Sequence, residues 1–250
     1  MLQTHLHWED VQANLHSLGE LLLRLEKPVD LILLPEMFTS GFTMHPERVS
    51  GASDKVVEEW LADYSLRCKA CICGSIAAKE GSGYYNRMLW AEEGVCKRIY
   101  DKRHLFRMAG EHEVYQPGKE SGAFVWKGWR ILPRICYDLR FPVWNRSKEA
   151  DLHIYLANWP QARSSAWSKL LMARAIENLC YVIGVNRVGH DGNEVAYEGL
   201  SAAIDYKGEP MHVLSKEDTV IYCELHLDEL KVFREKFPAH LDADNFEIRP

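Results

Sequence analysis

Three residue types that could share one reaction stand at the ends of segments that read as strands in this chain. Glu36 follows the run 29–34, Lys102 follows the run 95–100, and Cys136 follows Ile131, Leu132 and Ile135. A thiol held where a buried strand turns a corner can act as a nucleophile. It needs a base for its proton and N–H groups aimed at the developing oxyanion. A neutral thiol near its reference pKa of about 8.5 also needs a cation beside it to attack an amide carbon at pH 7. Glu36 would supply the base and later activate water, while Lys102 and the N–H of Tyr137 would hold the negative oxygen. The chemistry of such a set is acyl transfer. Taken singly, each residue has a plainer reading, since cysteine is usually a core hydrophobe and charged side chains are mostly solvated. Their shared position at strand ends joins them, because strand ends in an α/β sheet gather along one edge.

The surrounding pattern supplies the elements that would carry them. Val11, Leu15, Leu18, Leu22 and Leu25 recur at helical spacing from about Asp10, and Lys27-Pro28 ends the pattern. Val56, Val57, Trp60, Leu61 and Tyr64 predict a second helix within 53–67, capped by Ser53 or Asp54. Residues 70–78, 84–91 and 95–100 read as three strands joined by short turns, a meander that delivers Lys102 to a strand end. A polar loop at 108–122 and a hairpin at 123–136 follow. Strand and helix then alternate: a strand at 152–157 ending in Asn158-Trp159-Pro160, a helix at 164–178 and a strand at 180–185. Two last strands are expected at 199–206 and 219–225, then a helix at 227–237.

Bulk properties exclude several classes. A chain of 250 residues with 47% hydrophobic and 26% charged residues is long enough for a single domain, 1–250, and is not disordered. Its net charge of −6 argues against a nucleic-acid partner. No apolar run is long enough to span a bilayer and no signal peptide is evident, so a cytoplasmic protein without a membrane partner is expected. Seven scattered cysteines read as reduced thiols rather than a disulfide framework. His5 and His7 lack partners at metal-ligand spacing, and Cys71 and Cys73 are too close for a familiar zinc or redox motif. Both pairs are expected in the core, with no metal and no cofactor.

The segments LPEMF at 34–38, YDKRHLF at 100–106 and ICYDLRFP at 135–142 resemble, in order and separation, the three signature segments of the nitrilase (carbon–nitrogen hydrolase) superfamily. The similarity extends over essentially the whole chain, including NWP at 158–160, RAIEN at 174–178 and the Gly-x-Ser at 199–201. It implies an α/β fold, a four-layer α-β-β-α sandwich that usually dimerises. It also implies a Glu36, Lys102, Cys136 triad and a second glutamate matching Glu111, with Glu113 as a nearby rival. Members of the superfamily begin several residues earlier, so a shortened first strand is expected.

LPEMFTSGF, DKRHLFRM and CYDLRFPVW together most resemble the bacterial ω-amidase branch, relatives of the mammalian ω-amidases. The resemblance implies hydrolysis of the terminal amide of 2-oxoglutaramate or 2-oxosuccinamate through a cysteine thioester. The product is a 2-oxo-dicarboxylate and ammonia. A nitrilase, an N-carbamoyl hydrolase, an aliphatic amidase or a non-catalytic binding protein on the same fold are the alternatives. Such a substrate needs a cation for its remote carboxylate: Arg163 is the first candidate, with Arg187 and Arg140 competing. Arg140 could instead pair with Asp138 or Glu177. Phe38, Phe42 and Trp159 are expected to wall the pocket, beside Tyr137.

Overall fold

The structure is a computed structural model that describes residues 1–212 and 214–248. A two-residue strand β1 (Leu2–Gln3) leads into helix α1 (Val11–Leu23), whose first turn is capped by Asp10 accepting from the Ala13 N–H at 3.0 Å. Strand β2 (Leu31–Leu33) is followed by α2 (Ala52–Cys68), β3 (Cys71–Glu80), β4 (Gly83–Glu92) and β5 (Val95–Asp101). A four-residue helix α3 (Glu111–Val114) lies inside the expected polar loop, before the hairpin β6 (Phe124–Trp126) and β7 (Trp129–Ile135). Then come α4 (Pro142–Asn145), β8 (Leu152–Ala157), α5 (Ser164–Asn178), β9 (Tyr181–Asn186), the hairpin β10 (Val188–His190) and β11 (Ala196–Glu198), β12 (Ala202–Ile204), β13 (Thr219–Val220) and α6 (Leu227–Lys236).

These elements form the expected four layers. One sheet has the order β2-β3-β4-β5, with β2 and β3 parallel and the rest antiparallel. The other runs β12-β9-β8-β7-β6, with β7, β8 and β9 parallel. Leu15, Leu18 and Leu22 of α1 and Val57 and Leu61 of α2 cover the outer face of the first sheet. Trp167, Leu171 and Ala175 of α5 and Leu230 of α6 belong to the core of the second. Cys73, Met88, Trp90 and Tyr100 from one sheet meet Ile135, Ile154 and Leu156 from the other within that same core. Alternate residues of each strand thus feed two different apolar layers, so most strands read as nearly continuous apolar runs.

Several expectations change in detail. No side chain caps α2: Gly51 precedes it at φ 86°, and Asp54 instead accepts from the Lys79 N–H of β3 at 2.8 Å. The strands expected at 199–206 and 219–225 shrink to β12 and β13. The first strand is short, as expected, and pairs antiparallel with β13. His5 and His7 are exposed rather than core, because β1 ends before them. Cys71 and Cys73 are buried in β3, and all seven cysteines are free thiols. Among the described residues, no helix is long and apolar enough to cross a membrane, and no group of His, Cys, Asp or Glu side chains is arranged to hold a metal.

Candidate active site

Glu36, Lys102 and Cys136 come from three strand ends on two sheets, and the fold brings them together. β2 ends at Leu33 and the chain turns over Glu36; β5 ends at Asp101, one residue before Lys102; β7 ends at Ile135, one residue before Cys136. All three strands point their carboxyl ends to the same edge of the sandwich, so chemistry separated by scores of residues collects there.

Cys136 opens a tight helical turn, Cys136–Arg140, with φ 44°. A left-handed backbone costs a non-glycine residue about 1–2 kcal/mol and survives only where the surroundings impose it. Here it turns the thiol out of the strand's alternation and toward the seam between the sheets, where Sγ lies 3.8 Å from the Asn158 carbonyl oxygen. Met37, directly after Glu36, also has a left-handed φ of 45°. That turn separates its neighbours: Glu36 faces the seam, while Phe38 swings to the outer side of the sheet.

A hydrogen-bonded cluster surrounds Glu36. Its Oε1 accepts from Lys102 Nζ at 2.9 Å and from Asn86 Nδ2 at 2.8 Å, and its Oε2 accepts from the Asn158 N–H at 2.7 Å. Asn158 Nδ2 also donates to the Glu36 carbonyl at 2.6 Å. Lys102 donates to both oxygens of Glu111, at 2.9 and 3.0 Å. The Phe106 N–H holds Glu111 from behind. All three charged side chains are completely buried. Glu113, the rival second glutamate, is exposed beside His112, so Glu111 alone joins the cluster.

Burial sets the resting protonation. The Cys136 thiol is pushed well above its ordinary pKa by desolvation and by the negative charge of Glu36, with Lys102 pulling the other way. Burial would lower Lys102, but Glu111 and Glu36 on either side hold it well above the usual lysine value. Desolvation raises Glu111 against the attraction of Lys102. Burial thus favours the neutral form of the thiol, beside an ammonium held between two carboxylates.

Cys136 and Lys102 open into a cavity of about 490 Å³ whose walls include Tyr137, Trp159, Phe42, Phe106, Arg140 and Arg163. The Arg163 guanidinium lies 5.1 Å from the centre of the Phe106 ring, and that of Arg140 lies 5.0 Å from the Trp159 ring. The carboxylates that could have taken Arg140 are occupied elsewhere: Asp138 by His104 at 2.8 Å and Glu177 by Arg174 at 2.7 Å. Arg187 does not reach the cavity. It is buried, donating to the carbonyls of Leu6, Val188 and His190. Phe38 does not line the cavity either. Its ring packs in the outer core, 6.1 Å from Trp60, over the face left open by Gly74.

Sequence reasoning missed two kinds of contributor. Asn86 sits inside β4 with no local signal that its amide would bind Glu36, whereas Asn158 lay in a motif already singled out but was given no role. The outer wall was also missed: Trp8, Glu9, Arg48 and, from the β10–β11 hairpin, Asn193 and Tyr197. Asp191-Gly192-Asn193 is a turn signal that could have disclosed that hairpin.

The comparisons fit this geometry. A family model described as carbon–nitrogen hydrolase matches residues 1–235. The chain belongs to the carbon–nitrogen hydrolase family. Relatives within reach include the omega-amidase YafV of Escherichia coli strain K12, 48% identical over 99% of this chain and 97% of that protein. A 2-oxoglutaramate amidase from Bacillus subtilis is 34% identical over 86% of this chain and 85% of its own length. Among solved structures, a carbon–nitrogen hydrolase superfamily protein from Xanthomonas campestris with an arsenic adduct in its active site superposes with a TM-score of 0.95. It shares 42% identity and covers 100% of this chain and 97% of its own. The protein is thus a hydrolase of non-peptide carbon–nitrogen bonds on a nitrilase-superfamily fold.

Proposed function

We propose that this hydrolase is an ω-amidase that removes the terminal amide of small ω-amido 2-oxo acids such as 2-oxoglutaramate or 2-oxosuccinamate. Glu36 takes the Cys136 proton as the sulfur attacks the amide carbon, and the oxygen that becomes negative is met by Lys102 and the Tyr137 N–H. Collapse of the tetrahedral intermediate breaks the carbon–nitrogen bond, and the proton held by Glu36 leaves with ammonia. A thioester remains on Cys136. Water deprotonated by Glu36 then attacks it, releasing the carboxylic acid and restoring the thiol. Glu111 anchors Lys102 so that the ammonium stays put while charge develops beside it. Of all the observations, the one that carries the reading is the buried Lys102 bridging two carboxylates against the Cys136 thiol.

The cavity's size and lining favour a short acyl chain with a remote anion. Arg163 and Arg140 are held on aromatic faces, at the wall of the same cavity as the thiol. The names of the relatives from Escherichia coli and Bacillus subtilis agree with this substrate class. Ammonia release from 2-oxosuccinamate, glutamine and a simple nitrile tests it. The oxo acid amide should be turned over with the highest kcat/KM; preference for the nitrile would overturn the substrate assignment. Assembly as a homodimer belongs to the same proposal, and a monomer mass by light scattering at micromolar concentration would remove it.

A further inference from the structure

Lys102 and Cys136 hang from different sheets, and one buried carboxylate touches the chain on either side of both. Asp138, two residues beyond Cys136 and completely buried, accepts on Oδ1 from the His104 N–H at 3.0 Å and from its Nδ1 at 2.8 Å. Its Oδ2 accepts from the Tyr100 hydroxyl at 2.8 Å and from the Ile135 N–H at 3.1 Å. Tyr100 and His104 stand two residues before and two residues after Lys102, and Ile135 directly precedes Cys136. Four donors from two segments thus meet at one carboxylate, and the left-handed residue is flanked by it on both sides.

The network extends outward from this carboxylate. Trp144 Nε1 and the Arg103 N–H both donate to the Tyr100 hydroxyl, at 3.0 and 3.3 Å. Asn145 Nδ2 donates to the Asp138 carbonyl at 2.6 Å. The His104 ring stacks on Phe141 at 3.8 Å and 7°, and Phe141 meets Tyr137 edge-on at 5.1 Å. Neither Asp138 nor His104 lines the cavity. Burial alone would raise the Asp138 carboxyl, yet His104 and Arg134 hold it below the ordinary value, so it acts as an acceptor for all four donors.

We propose that Asp138 and His104 are positioning residues for the hydrolytic reaction: together they set the placement of Lys102 relative to Cys136. The inference rests on the triad assigned above, but not on which amide is the substrate. A misplacement of about 1 Å in such a pair costs about 100-fold in rate.

Three variants test this. Asp138→Asn keeps the volume but presents an amide nitrogen to one pair of donors. His104→Phe keeps a ring for the stack on Phe141 and removes the side-chain donor, whereas His104→Asn returns a donor near the place of Nδ1 and gives up the ring. Each is assayed well below its melting midpoint, so that only folded protein is compared. Asp138→Asn and His104→Phe are expected to lose about 100-fold in kcat, with KM changed by less than about threefold. Both should also slow iodoacetamide alkylation of Cys136 by about tenfold or more, since alkylation follows thiolate formation. His104→Asn should stay within about threefold of the unaltered enzyme on both measures. Alkylation involves no ω-amido acid, so an error in the substrate assignment leaves this readout standing. Unchanged kcat and alkylation in His104→Phe, or equal losses in His104→Asn and His104→Phe, would overturn the proposal. If Asp138→Asn does not fold, the pair at position 104 decides alone.

Discussion

Among the described residues, cavities open at opposite ends of the sandwich, and the larger of the two is not the one over the proposed triad. The cavity of about 490 Å³ lies at the carboxyl ends of β2, β5 and β7, over Lys102 and Cys136. The other, about 660 Å³, lies toward the amino ends of β2, β7 and β8, walled by Leu31, Trp126, Trp129, Leu152 and Ile183 among others. Its charged rim residues Lys127 and Asp30 are exposed and pair with each other at 2.7 Å. The first cavity instead buries an ammonium and two carboxylates against a thiol. Volume marks where strands diverge; desolvated charge marks where a reaction can be run, because buried ions persist only when they are paired and hydrogen-bonded.

The comparison breaks if damage to either end has the same consequence. Cys136→Ala should abolish turnover, by about 10⁵-fold or more. Because the change is small, its melting temperature should stay within about 3 °C of the parent. Residual hydrolysis in that variant, measured by ammonia release, would remove the proposed nucleophile. At the other end Ile183→Ala should behave inversely. Trimming a buried isoleucine costs about 2–5 kcal/mol, a fall in melting temperature of roughly 5–15 °C in a chain of this size. The kcat below the transition should be unchanged; a parallel loss of kcat would mean the two cavities are mechanically one.

The smallest effect concerns Glu9, at the mouth of the reactive cavity, which accepts from Thr43 Oγ1 and pairs with Arg48 at 2.9 Å. Burial raises its carboxyl, but Thr43 and Arg48 outweigh that and hold it below the ordinary glutamate value. A carboxyl depressed in the folded state stabilises fully above its unfolded pKa, and that contribution is lost as pH falls through the folded value. Glu9→Gln should therefore melt about 1–3 °C lower at pH 7. The gap should narrow in melting scans as pH falls below the unfolded glutamate value of about 4.3. A gap that widens in acid would show that Glu9 is protonated in the folded protein.

Much of the reactive end was legible because its residues obey a simple rule: strand, then reactive side chain. Glu36, Lys102 and Cys136 each follow a segment that reads as a strand, and the resemblance of their segments to one family supplied Glu111. What escaped depends on backbone turns that no residue type announces. A left-handed Met37 sends Phe38 to the outer core, although as an aromatic at a strand end it was expected on the pocket wall. Gly51 displaced the capping role expected of Ser53 or Asp54. Arg187 looked like a cavity cation, standing just after β9, yet it lies buried away from the cavity, with Nε and Nη2 donating to backbone carbonyls. Asn86 is a polar residue in a strand interior whose partner arrives 50 positions away.

The bond between the Asn158 N–H and the Glu36 carboxylate crosses from one sheet to the other, as does the bond from Asn158 Nδ2 to the Glu36 carbonyl. A slide of about 1 Å between the layers would then disarm the enzyme while every helix and strand remained intact. In dilute urea, catalytic output should fade before far-ultraviolet dichroism changes, which makes turnover the most sensitive gauge of how tightly the two halves of the sandwich are clasped.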